Sequence, residues 1–244
     1  MVAPPDGFAT HTKPARKDAV DFIIESVHRY PHEISLLTIG PLTNVAIAMR
    51  KDPTIVPLIK QIVYMGGQVD AMGNSFNDAG EFNWWFDSEA AKVVLRSSVP
   101  QTVVPLDVTN TLPLTKVVYD RITQDPSKQT IVTKLYANYF ASSFGSGPAP
   151  YVPYIYDTIA LACFVDPSFA TDVRERYIDI DTNSTATYGK ATGRLSNLPT
   201  NLLQKQRVVY YIDQTRFLNF YVDLLTRPVP VRFSNESDEN EDNE

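Results

Sequence analysis

The chain has 244 residues, 43% of them hydrophobic and 20% charged, with a formal net charge of -6. That composition suits an ordinary globular protein with length enough for a core, and it lacks both a basic footprint for nucleic acid and an apolar run long enough to span a bilayer, so neither nucleic acid nor membrane is expected as a partner. Cys163 is the only cysteine, which excludes an intrachain disulfide and a thiolate metal cluster and fits a reducing compartment such as the cytoplasm. The Asn-X-Ser/Thr triplets at Asn183 and Asn235 would suit a secreted chain, but such triplets arise by chance and no signal peptide precedes them.

From Lys17 to Tyr30 the apolar residues Ala19, Val20, Ile23, Ile24 and Val27 recur at helical spacing, and EISLLTI over 33–39 reads as a buried strand. GPLTN leads into a helix through Met49. DPTIVPLIK starts another, with Asp52 as its cap and Pro53 at its first position. QIVYM is the second strand; Asp87 caps a helix over SEAAKVVLRSS, and QTVVPL is the third strand. Beyond Asp107 the pattern is helical through LTKVVYDRIT and KQTIVTKLYANYFASSF, until GSGPAP breaks it. A helix follows over Tyr156–Phe164, then strands in RERYIDIDT and RVVYYI, and an amphipathic helix in DQTRFLNFYVDLLT. Strands alternating with helices predict an α/β fold, an open and mostly parallel sheet flanked by helices. One domain over 1–227 is expected, with an acidic disordered tail over 228–244.

The stretch MGGQVDAMGNSFNDAGEFNWWFD, residues 65–87, shows no periodicity, and a loop that long is usually functional or disordered; two tryptophans argue against disorder. Ligands of open parallel sheets sit beyond the carboxyl ends of the strands, where this loop converges with those after Ile39 and Leu106. Asn74, Asn77, Glu81 and Asn83 match neighbouring sugar hydroxyls, and Phe82, Trp84 and Trp85 could wall such a site. The plain alternative is that Asn, Asp and Gly serve turns and the tryptophans serve the core.

TIGPLTNVAIAM, IVYMGG, GN followed by EFN, DSEAAKVVL, VVPLDVT and YDTIALA, in that order, resemble the inosine-uridine preferring nucleoside hydrolase family, from about Asp18 to about Arg227. The resemblance implies an enzyme that hydrolyses the N-glycosidic bond of ribonucleosides to base and ribose, holds a calcium ion, and is commonly a homo-oligomer. It assigns ribose contacts to Met65, Asn74, Glu81, Phe82 and Asn83. One extra residue separates Asn74 from Glu81 relative to the family spacing, which makes Asn77 an alternative to Asn74. Calcium ligation falls to Asp157 and the main-chain carbonyl of Ile39, a choice that suits a hard cation. The residues alone favour a helix N-cap for Asp157.

The family's opening strand carries an aspartate motif, DxDxxxDD, that supplies most metal ligands and the general base. These 244 residues lack it, and Asp6, Asp18 and Asp21 do not reproduce its spacing. The expectation is therefore a chain matching the later two thirds of the family domain, with the first strands missing, a sheet edge exposed, too few calcium ligands and no general base. Tyr156 stands where many members have a histidine that protonates the leaving base, and a phenol is a much weaker acid. His11, His28 and His32 are expected at the surface. The aromatics Tyr136, Tyr139, Phe140, Phe144, Tyr151 and Tyr154 fit either a nucleobase cover or helix packing. Three readings follow: a hydrolase whose amino-terminal part is absent from this chain, a nucleoside binder or paralogue without turnover, and a chain completed by a second polypeptide.

Overall fold

A computed structural model describes residues 13–144, 152–197 and 202–228. Asp6, His11, the GSGPAP break, Tyr151, the Asn235 triplet and positions 229–244 of the expected tail lie outside the described residues. The strands are β1 (Ser35–Thr38), β2 (Gln61–Met65), β3 (Gln101–Val104), β4 (Ala170–Ile180), β5 (Ala191–Arg194) and β6 (Lys205–Ile212). The helices are α1 (Ala19–Arg29), α2 (Thr43–Lys51), α3 (Phe82–Phe86), α4 (Ser88–Leu95), α5 (Leu106–Thr109), α6 (Lys116–Thr123), α7 (Ile131–Tyr139), α8 (Ala141–Phe144), α9 (Tyr156–Val165) and α10 (Gln214–Thr226).

The chain divides into two compact units. The larger, Ala9–Leu114 with Tyr151–Asn219, holds a six-stranded sheet in the order β1-β2-β3-β6-β4-β5. β1, β2, β3 and β6 are mutually parallel, with Val63 opposite Leu37 and Thr102. Their carboxyl ends, and the loops that follow them, therefore share one edge. β4 runs antiparallel to both β6 and β5, so the sheet is mixed, with its antiparallel part at one side. The alternation of short strands makes this legible: Ile62, Tyr64, Val103 and Val208 join one core with Val20, Val27, Ala48, Met49, Ala91 and Leu95 of α1, α2 and α4. Val63, Thr102 and Val209 share a small cavity with Cys163 and Phe164 of α9 on the opposite face. Strands covered on both faces need near-continuous apolar runs, which QIVYM and QTVV supply. β1 pairs only with β2 among the described residues, and all four of its residues are half-buried, as suits an edge position.

Several local outcomes differ from expectation. DPTIVPLIK forms a tight 3₁₀ helix over Pro53–Leu58, because Pro57 inside it has no N–H for an α-helical bond; Asp52 caps it as expected, accepting from the Thr54 N–H at 3.0 Å. The helix after Asp87 stops at Leu95 rather than Ser98, and the second long helical pattern breaks between α7 and α8 at Phe140. The short elements α3, α5 and β5 were not foreseen: four or five residues carry too little periodicity to stand out. Exposed His28 meets Asp52 at 2.7 Å, and exposed His32 adopts a positive φ of 65° at a turn.

In the smaller unit, which includes Thr115–Pro150 and Phe220–Glu244, the aromatics of α6–α8 pack on one another and on the end of α10. Tyr119 meets Phe144 at 4.6 Å, Tyr136 meets Phe140 at 4.8 Å, and the Tyr221 hydroxyl donates to that of Tyr136 at 3.1 Å. Helix packing therefore accounts for Tyr136, Phe140 and Phe144, while Tyr139 is largely exposed.

Candidate active site

The long stretch after β2 is a folded loop closed by α3, and its organiser is Glu81. This carboxylate is the N-cap of α3: Oε1 accepts the Asn83 N–H at 2.8 Å, and Oε2 accepts those of Trp84 at 3.1 Å and, from across the loop, Gly67 at 3.0 Å. Three amide donors answer a carboxylate that is almost fully buried, 2% exposed. Burial still outweighs them and pushes Glu81 up from its ordinary 4.5 to about 7, with the nearby charge of Asp157 adding to the rise.

The rest of the loop is built around that group. Gln68, itself buried, clamps it from behind: its Oε1 accepts the Glu81 N–H at 2.9 Å and its Nε2 donates to the Ala79 carbonyl at 2.6 Å. Asn83 returns to the strand, its Nδ2 donating to the Met65 carbonyl at 3.1 Å beside the Met65 sulfur. Trp84 is 1% exposed and lies against Gly66 and Gly67, so that a Cβ at either glycine would overlap the indole; Gly67 also has a φ of 75°. This is the physical reason for two glycines after β2, one of which sits where L side chains are strained.

Asn74 and Asn77, which the sequence left as alternatives, separate cleanly. Asn74 Oδ1 accepts the Phe82 N–H at 2.8 Å, and its side chain lies close enough to the Tyr156 hydroxyl to act on it. Asn77 faces away: its Nδ2 donates to the carbonyls of Tyr188 at 3.0 Å and Ala186 at 3.4 Å, fastening the loop to the turn before β5. The geometry thus brings Asn74, and not Asn77, to Glu81. Phe82 is 40% exposed, in ring contact with Trp85 and Phe86, so it forms part of the rim rather than the floor.

α9 carries the second half of the site. Antiparallel backbone bonds between Leu112–Leu114 and Pro153–Ile155 fix the approach to the helix, and α9 packs on β1 and β2. The N-cap is Ile155, without a side-chain cap bond, and Asp157 lies inside the first turn; the capping reading of Asp157 is therefore incorrect. No described residue donates a hydrogen bond to the Asp157 carboxylate, which solvent reaches although partial desolvation raises its pKa above the ordinary value. Tyr156 stacks on Tyr154 with ring centroids 5.6 Å apart. Burial, with Tyr154 and Glu81 nearby, raises its phenol above 10 despite the opposing influence of Asn74. Exposed Ile39 directly follows β1 at the same sheet edge.

Glu81, Asn83, Met65, Asn74, Tyr156 and Asp157 thus form one constellation at the carboxyl ends of the parallel strands, the position where open α/β folds bind small molecules. Sequence reasoning missed Gln68; its only signal was an uncharged amide three residues after a strand, which is also ordinary for a turn. A calcium ion takes six to eight oxygens. Among the described residues no group of three or more His, Cys, Asp or Glu side chains could hold a metal, so Asp157 and the Ile39 carbonyl do not make such a site by themselves.

The family model described as "Inosine-uridine preferring nucleoside hydrolase" matches residues 3–219, and the chain belongs to that family. It is 34% identical over 182 residues to the pyrimidine-specific ribonucleoside hydrolase RihB of Escherichia coli, a match covering 70% of this chain and 54% of the relative. The chain thus spans about half the length of that relative. Among solved structures, the purine-preferring ribonucleoside hydrolase from Gardnerella vaginalis superimposes with a TM-score of 0.72 at 28% identity, over 89% of this chain and 68% of that one. The inosine-uridine preferring nucleoside hydrolase from Bacillus anthracis shares the fold, with a TM-score of 0.75 at 24% identity, over 91% of this chain and 69% of that one.

Proposed function

We propose that this chain grips the ribose of a ribonucleoside, purine or pyrimidine, for hydrolysis of its N-glycosidic bond to free base and ribose. The observation that carries this reading is the proximity of Glu81, from the loop after β2, to Tyr156 and Asp157, near enough for their charges to interact, with Asn74 bonded to the adjoining Phe82 N–H. Glu81 and Asn83 would take ribose hydroxyls, with the Met65 side chain against the ring. Phe82 would border the opening. A neutral Tyr156, whose phenol is raised still further, serves the departing base as a hydrogen-bond donor and not as a proton source.

Calcium is the part of the family reading that the donor set supports least. Asp157 has a carboxylate to which no described residue donates, at the right edge of the sheet, and the Ile39 carbonyl is the one other donor the resemblance offers. Two donors do not fit a calcium site, so no step is routed through the ion. The general base and the remaining ligands belong, in this reading, to the family's DxDxxxDD motif, which the 244 residues do not contain. Binding without turnover is the expected behaviour of this chain alone. The test is ribose release from inosine and uridine with added calcium, alongside nucleoside binding by the same folded protein. Binding without release is predicted; sustained release abolished by Asp157→Ala would overturn the division of labour, and absence of binding would overturn the whole reading.

A further inference from the structure

The loop that carries Glu81 is tied to the neighbouring strand by a carboxylate outside the constellation. Asp107 lies in the first turn of α5, directly after β3. Its Oδ2 accepts the Val69 N–H at 2.8 Å, and its Oδ1 accepts the N–H groups of Asp70 at 2.7 Å and Ala71 at 3.2 Å. Three successive amides converging on one carboxylate form a charge-assisted clasp, stronger than bonds between neutral groups. The same junction continues the strand ladder past its end: the Leu106 N–H donates to the Gly67 carbonyl at 3.0 Å.

The residues so held directly follow two that hold Glu81, Gly67 and Gln68. Gly67 gives its carbonyl to Leu106 and its N–H to Glu81 Oε2. Gln68, between Gly67 and the clasped amides, receives the Glu81 N–H on its side chain. We propose that Asp107 is a positioning residue of the nucleoside site: it fixes Val69–Ala71, and through Gly67 and Gln68 it sets where the Glu81 carboxylate stands. This rests on the ribose-binding reading of Glu81, but its physical content, the coupling of Asp107 to Glu81, does not. A displacement of about 1 Å at such a group is enough to cost up to about a hundredfold in function.

The test compares Asp107→Asn and Asp107→Glu with Asp18→Ala, which removes the α1 cap bond to the Val20 N–H in the same unit and far along the chain. Inosine and uridine affinity by calorimetry, unfolding free energy in urea, and amide hydrogen exchange are measured on each folded protein. Asp107→Asn, which turns one acceptor into a donor facing an N–H, is expected to weaken nucleoside binding about tenfold or more and to speed exchange at Val69–Ala71 and at Gly67, Asn83 and Trp84. Asp107→Glu keeps the carboxylate and restores most of both. Asp18→Ala loses stability with affinity unchanged. An affinity in Asp107→Asn within about twofold of wild type, or a loss matched by Asp18→Ala, overturns the proposal. If the wild-type protein binds no nucleoside, the ribose reading fails and exchange alone decides the coupling: acceleration at Gly67, Asn83 and Trp84 in Asp107→Asn but not in Asp18→Ala supports it, and unchanged exchange refutes it.

Discussion

Glu81→Gln separates the charge of the buried carboxylate from its shape. In the folded chain Glu81 is raised from 4.5 to about 7, mainly by burial, so between those values the native state binds a proton that the unfolded state has released. Stability must then fall as pH rises through that window, fully penalised above about 7 and unpenalised below about 4.5. At about 1.4 kcal/mol per tenfold, the total is about 3 kcal/mol. Glutamine imitates the protonated acid: it keeps one acceptor for the Gly67, Asn83 and Trp84 amides and turns the other oxygen into a donor, as protonation does. The variant should therefore match wild type near pH 5 and become more stable by about 3 kcal/mol near pH 8. Urea unfolding of both proteins in a chelating buffer at steps across that range measures the difference directly and cancels groups that titrate in both. Curves that stay parallel within about 1 kcal/mol would refute the claim that an ionised Glu81 is held in a desolvated position.

Further outcomes follow from the same geometry. Gly66→Ala should destabilise the fold by about 1–3 kcal/mol, because its methyl overlaps Trp84 in a packed core, and a lowered urea midpoint checks it. Asn77→Ala should cost about 1 kcal/mol of stability through the lost bonds to Ala186 and Tyr188 and leave nucleoside affinity unchanged, whereas Asn74→Ala should weaken affinity; equal effects on binding would show that the assignment between them is incorrect. Asp157→Ala should leave the melting temperature unchanged or higher, since no described residue donates to that carboxylate and no cap is lost, while nucleoside binding falls.

The parallel half of the fold was legible because QIVYM, QTVV and RVVYYI are apolar runs of strand length separated by helical periods, and the loops after them had to share an edge. The antiparallel strand β5 was not, because ATGR carries neither alternation nor β-branched density and takes its place from pairing with β4. The site was legible in part. Glu81 and Asn83 stood out as polar groups on the loop after a strand, and Met65 entered only through the resemblance. Whether Asn74 or Asn77 faces inward depends on the fold of 74–80, where the Asn74 and Ser75 amides both donate to the Gly80 carbonyl and Asp78 takes a positive φ, and such a turn is not encoded in spacing alone. Asp157 looked like a cap because aspartate before a helix usually is; the chain enters α9 two residues earlier, held by its pairing with Leu112–Leu114.

The ribose site itself is tested most directly by the amide and indole resonances of the isotopically labelled protein during titration with inosine and with uridine. The account predicts shifts concentrated at Gly67, Asn74, Glu81–Trp84 and Asp157, lost in Glu81→Ala. Saturable shifts confined to other parts of the chain, or none at all from a folded protein, would contradict it.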